Sequence, residues 1–185
     1  MAEYYLISQL PSLDGISETT PLPITSERFL ELCEGFLNKK AQGELKGLTL
    51  LPPRTYEKST STLIEQWNDG ERKLRLALAK IRADKMNKSF DTENISFSPG
   101  LLQAVRTAVE IESPMDAEKF LNNYRLDFLE TLRPMDSFSE EFVFYYGLKL
   151  KIIERIRTFD AESGEAAYKN IYNSIMDSNR SEVIQ

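Results

Sequence analysis

Two blocks constrain what this chain can fold into: Glu65 to Lys85 and Phe142 to Ile156. In the first, Trp67, Leu74, Leu78 and Ile81 recur at helical spacing and form one apolar face. Leu76, Ala79, Ala83 and Met86 form a second, narrower face. A helix with two apolar faces is either sandwiched between neighbours or keeps one face for a partner. In the second block Phe142, Tyr145, Tyr146, Lys149, Ile153 and Ile156 share a face. Leu148 to Ile152 alternates as a half-buried strand would, but the apolar pattern runs on to Phe159. That length suits a helix and exceeds a typical strand.

The remaining signals predict an all-α, single-domain multi-helix bundle over residues 1–185, of roughly six helices. Residues 1–23 read as an N-terminal segment and loop, and 177–185 as a frayed tail. Tyr4 to Leu10 is too short for its periodicity to separate a short N-terminal strand from the first turns of a helix. Thr25-Ser26 caps a helix beginning near Glu27, with Phe29, Leu32, Cys33 and Phe36 on its stripe. Gly43 and Gly47 weaken the next stretch, and Pro52-Pro53 closes it off. Thr62 and Glu65 have capping-box spacing. Ser98-Pro99 and Ser113-Pro114 each pair a serine cap with a proline at the first helical position. The first of these helices carries Leu101, Leu102, Val105, Ala108 and Val109; the second carries Phe120, Leu121, Tyr124, Phe128 and Leu132 and stops before Pro134. Ser139 caps the next helix. After a turn over Asp160 to Gly164, a last helix carries Tyr168, Ile171, Tyr172, Ile175 and Met176.

With 41% hydrophobic residues in 185, the chain can bury a core without staples. Its one cysteine, Cys33, cannot form an internal disulfide, which suits a reducing cytoplasm. The start has no positive region followed by an apolar core, so a signal peptide is not expected. No run approaches the ~20 apolar residues of a membrane span. The net charge of −6 argues against coating nucleic acid. Charge is uneven, however. Leu63 to Lys88 holds Arg72, Lys73, Arg75, Lys80, Arg82, Lys85 and Lys88 against Glu65, Asp69, Glu71 and Asp84. This mildly basic helix is either a solvated face or a contact face for an acidic partner. Asp69 with Lys73, Glu71 with Arg75 and Asp84 with Lys88 stand at i,i+4, each worth about 0.2–0.5 kcal/mol in an isolated helix.

Chemistry-bearing patterns are few. The chain has no histidine, which removes imidazole metal sites and histidine-based triads. Cys33 lies on an apolar helical stripe and reads as a small core residue. There is no phosphate-binding Gly-x-x-x-x-Gly-Lys loop, dinucleotide fingerprint or Asp-rich calcium loop. No cofactor or metal is expected. Asp160, Glu162 and Glu165 are explained by a helix start, whose dipole favours acids. The aromatics fall on helical stripes, as core residues do. A carboxylate-dependent hydrolase would need a pair of acids that no spacing singles out. No catalytic residue is assigned, and an enzyme is not expected. Glu71, Arg75 and Arg82 lie between the two apolar faces of the Trp67 helix. With Trp67 they form the candidate partner-interface set, as an internal brace or a partner face.

Four segments carry a family resemblance. They are Tyr4-Tyr-Leu-Ile-Ser-Gln-Leu-Pro-Ser-Leu13; Glu71-Arg-Lys-Leu-Arg-Leu-Ala-Leu-Ala-Lys-Ile-Arg-Ala83; Asn123-Tyr-Arg-Leu-Asp-Phe-Leu-Glu130; and Leu148-Lys-Leu-Lys-Ile-Ile-Glu-Arg155 with Phe159-Asp-Ala-Glu-Ser-Gly164. In this order they resemble an uncharacterised bacterial family encoded beside V-type (A/V-type) ATP synthase subunits. The pattern is also similar to the d-type subunit of V-type ATPases, the helical socket between rotor ring and central stalk, although this chain is markedly shorter. The resemblance implies a non-catalytic, cytoplasmic subunit or accessory protein of a V/A-type rotary ATPase. Its partners would be central-stalk or rotor-ring subunits, and it would be peripheral to the inner membrane only through the complex. The alternative is a stand-alone helical interaction module, a homodimer through the second apolar face.

Overall fold

The computed structural model describes residues 2–16, 20–54, 58–90, 95–158 and 168–173. The described residues are helical and contain no strand. Their long helices run in the order α1 (Ala2–Gln9), α2 (Ser26–Glu34), α3 (Lys39–Lys46), α4 (Thr62–Lys85), α5 (Pro99–Glu110), α6 (Pro114–Thr131) and α7 (Glu140–Thr158). A further helical stretch covers 168–173. The expected turn at 160–164, Ile175, Met176 and the tail lie outside the described residues.

The N-terminal segment is the helix α1, not a strand, and it turns Leu6 into the core. Helix α3 forms despite Gly43: Asn38 caps it by accepting from the amides of Lys40 and Ala41, and Ala41 and Leu45 are buried. Ser98 and Ser113 cap α5 and α6, with proline in each first turn. Thr25 caps α2, and Ser139 Oγ accepts from the Phe142 amide.

The start of α4 differs from the capping-box reading. Ser61 is the cap, one residue before Thr62. The carboxylate that completes it is not Glu65 but Glu141, from the first turn of α7. Glu141 accepts from Ser61 Oγ at 2.7 Å, Thr62 N at 3.1 Å and Leu63 N at 3.3 Å. Glu154, near the other end of α7, does the same for α2, accepting from Ser26 N at 2.8 Å and Ser26 Oγ at 2.5 Å. A carboxylate placed at a helix N-terminus satisfies amides that have no partner within the helix and meets the positive end of its dipole. Removing Glu141 takes the acceptor from three donors, of which those on Ser61 and Leu63 belong to buried residues. Glu141→Ala is expected to lower unfolding free energy by roughly 1–3 kcal/mol in urea titrations, well above the effect of a surface Glu→Ala.

α7 is more central than one apolar face implies. Every residue from Val143 to Leu150 is buried, the polar Tyr145, Tyr146 and Lys149 included. α2, α3, α4 and α6 all pack on it. Gly147 permits this: a Cβ there would stand 3.1 Å from the Phe29 ring and 3.2–3.3 Å from Leu48 and Leu45.

The core has two parts. The larger gathers α1, α2, α3 and α7 with Leu63, Ile64 and Trp67 of α4 and Leu129 of α6. The smaller gathers Leu74, Ala77 and Leu78 of α4 with Leu101, Val105 and Ala108 of α5 and Leu121 of α6. α4 begins in the larger part and ends in the smaller, and α6 does the reverse. The two helices therefore cross both parts in opposite directions.

Candidate functional site

Where α4 and α6 pass from one apolar part to the other, the interior is ionic. Glu71 of α4 is buried, and so are Asn122 and Arg125 of α6. Arg125 Nε donates to Glu71 Oε2 at 3.0 Å and Arg125 Nη2 to Glu71 Oε1 at 3.1 Å. This two-pronged contact matches the planar guanidinium to the carboxylate. Arg125 Nη1 donates to Asn122 Oδ1 at 2.9 Å and to Glu118 Oε1 at 3.3 Å. Arg155 of α7 reaches Glu118 at 2.7 Å, and Arg75 Nε donates to Glu71 Oε1 at 2.8 Å from the outer side. Three arginines thus share two carboxylates across α4, α6 and α7. The Trp67 ring is buried one turn below Glu71 and packs beside Phe128, centroids 6.2 Å apart. Trp67 Nε1 and Asn122 Nδ2 are buried without a hydrogen-bond acceptor among the described residues.

The four candidate residues therefore separate. Trp67 and Glu71 face inward. Arg75 bridges the two sides: its side chain is 41% exposed while it holds Glu71. Arg82 is exposed two turns further along the same edge. Arg125, Asn122, Glu118 and Arg155 are site residues that helical spacing alone does not single out. A signal exists nonetheless, because Arg125 interrupts the apolar series Leu121–Leu129 at four-residue spacing, as Glu71 interrupts Trp67–Leu74.

On the outer side of α4, Leu76 and Ala79 are half-buried and Met86 is 60% exposed. Ala83, between them, is covered. Arg72 turns away to donate to the Pro53 carbonyl at 3.0 Å. Lys73 pairs with Asp69 at 2.7 Å. Lys80 lies 6.0 Å from the Phe97 ring centroid. Neither Lys80 nor Arg82 has a carboxylate at ion-pair distance among the described residues. Asp84 and Lys88 do not pair, because the helix ends at Lys85 and Asn87 turns the chain with φ of 53°. The Lys88 amide then reaches back to the Ala83 carbonyl at 2.9 Å, closing the helix end.

A third cluster lines a cleft of about 230 Å³ between the segment after α1 and α7. Lys149 Nζ donates to Asp14 Oδ1 and Glu130 Oε1, both at 2.6 Å. Tyr145 OH donates to Glu130 Oε1 at 2.6 Å, and Tyr146 OH to the Pro11 carbonyl at 2.8 Å. Burial alone would discharge Lys149; the bonds to Asp14 and Glu130 outweigh it and hold the ammonium above its ordinary range. Asp14 is held low by the Lys149 bond. For Glu130, burial pushes upward but the Lys149 and Tyr145 bonds prevail and lower it. Burial and the Glu130 bond push the Tyr145 phenol up to about 12. The cluster is a charged strap fastening the 10–14 segment to α7, with the amine kept protonated rather than free to act as a nucleophile.

The strap has a definite pH window. The lowered carboxylates contribute stability above their unfolded values near pH 4, lost as pH falls through the folded values. The raised Lys149 contributes below its unfolded value near pH 10.4, lost as pH rises through the folded one. The unfolding free-energy difference between wild type and Lys149→Met is thus expected to be level from about pH 6 to 9 and to shrink below about pH 4. A difference unchanged down to about pH 3 would remove the strap's role.

Cys33 is buried, and burial pushes its thiol up to about 12. A thiol so protonated is unreactive. Among the described residues no cluster of His, Cys, Asp and Glu could hold a metal ion, and no helix is long and apolar enough to cross a membrane.

A family model described as "Protein of unknown function (DUF2764)" matches residues 100–179, less than half of the chain. The matched stretch contains most of α5 and all of α6 and α7, and so Arg125, Glu130 and Lys149. It does not reach α4. No curated protein and no solved structure matches the chain.

Proposed function

We propose that this chain is a non-catalytic subunit or accessory protein of a V/A-type rotary ATPase, docking on the central stalk or rotor ring through a helix surface. The observation that carries the docking part is the outer side of α4. There Leu76, Ala79 and Met86 remain wholly or partly open beside Arg75 and Arg82, while Trp67, Glu71, Leu74 and Leu78 on the opposite side of the helix are buried. The ATPase link rests on the ordered resemblance of four sequence segments. The two-pronged Arg125–Glu71 contact fixes how α4 and α6 lie against each other and so holds the docking helix in place.

Co-expression of the tagged chain with the V/A-type ATPase subunits of its own organism, followed by native mass spectrometry, tests this reading. Co-purification with central-stalk or rotor-ring subunits is expected. Full assembly of the complex without the chain would overturn it.

A further inference from the structure

We infer that the outer side of α4 is a coiled-coil seam whose occupant is an acidic amphipathic helix of a partner protein. The inference rests on the docking reading above and names the partner's chemistry.

The spacing carries the first part. Leu76, Ala79, Ala83 and Met86 follow one another at intervals of three, four and three residues. This is the a/d alternation of a heptad seam. The stripe lies opposite the packed side formed by Trp67, Glu71, Leu74 and Leu78; along it Leu76 and Ala79 are half-buried, Ala83 is covered, and Met86, just past the helix end, is 60% exposed. From Leu76 to Met86 it is about 15 Å long at 1.5 Å per residue, roughly three turns of a partner helix.

The rim carries the second part. In a heptad seam the residues just before a and just after d flank the stripe and choose the partner by charge. Within α4 those residues are Arg75, Lys80 and Arg82, all basic. Glu71 does not neutralise Arg75 alone, because it also serves Arg125. Lys80 and Arg82 have no carboxylate at ion-pair distance among the described residues. A second copy of this chain, laid on the same stripe, would bring basic rim against basic rim, which is unfavourable. A lipid surface is a poorer fit: interfacial helices present large apolar side chains such as Trp, Phe and Leu, and alanine fills the middle of this stripe. An acidic helix satisfies both stripe and rim.

The test uses the full chain and two designed four-heptad peptides with Leu at a and d. One carries Glu, the other Lys, at the flanking positions. Binding is read by fluorescence anisotropy at two salt concentrations. The Glu peptide is expected to bind at least about ten-fold more tightly than the Lys peptide, and to weaken as salt rises. Lys80→Glu/Arg82→Glu spares the Glu71 brace, and is expected to invert the preference. Ala79→Arg is expected to block both peptides while circular dichroism stays unchanged. Equal binding of the two peptides, binding of neither, or a preference unmoved by the reversal would overturn the inference. So would a dimer of the chain that Ala79→Arg dissociates, or capture by anionic vesicles that the reversal abolishes while peptide binding is absent. Co-purification with ATPase subunits that persists in the reversed variant would sink the seam and leave the docking reading. Charge-selective peptide binding without any ATPase co-purification would do the opposite.

Discussion

Arg125→Ala is expected to cost about 3–5 kcal/mol of unfolding free energy, a large share of the ~5–15 kcal/mol that typically holds a domain folded. The truncation leaves Glu71 buried between two apolar clusters, with only Arg75 still paired to it. Asn122 Oδ1 loses its donor in the same step, while Glu118 Oε1 keeps Arg155. The cost of such a change is mostly the stranded charge rather than the lost attraction. The double variant Glu71→Leu/Arg125→Met should therefore recover much of the stability, because it replaces the pair by apolar groups of similar size. Chemical denaturation of wild type, single and double variants reads both effects. If the single variant loses under about 1 kcal/mol, the ionic layer is not closed to water.

Trp67→Ala is expected to cost a similar amount, about 3–5 kcal/mol. The indole is 1% exposed, touches the larger core cluster and packs beside Phe128. Trp67→Phe should cost far less. It retains a ring at the contact and removes an indole N–H that has no acceptor among the described residues. The contrast between the two variants separates packing from hydrogen bonding at this position. A Phe variant as unstable as the Ala variant would mean that the indole nitrogen has a partner after all.

The elements legible in the sequence are those written in local chemistry. Ser98-Pro99 and Ser113-Pro114 open helices because cap and proline act within one turn. The alternating Leu148 to Ile152 stretch is helical because its neighbours continue the pattern. The illegible parts depend on groups distant in the chain. Local spacing pairs Thr62 with Glu65 at the start of α4, but the capping carboxylate comes from Glu141. The short α3 is held by burial of Ala41 and Leu45 against the core rather than by propensity, which Gly43 lowers. Among the site residues, Glu71 and Arg75 stand out by their place between two apolar faces. Their buried partner Arg125 shows only as a break in the Leu121–Leu129 stripe, and nothing local says that two interrupted stripes will meet. Arg82 differs again: its spacing, which it shares with Arg75, does not decide its exposure.

The two carboxylates of α7 set an order on how the molecule is made. The N-termini of α2 and α4 are completed by Glu154 and Glu141, which lie 128 and 78–80 residues further along the chain. A ribosome adds residues in one direction at roughly 5–20 per second, so both helix starts wait several seconds for their partners. The larger core cluster waits too, since α7 supplies its centre. Until then Trp67, Phe29 and Leu45 have no common surface to bury against. The growing chain is therefore at its most vulnerable to aggregation and proteolysis just before α7 emerges, and a chain cut short before α7 is one a cell would degrade rather than store.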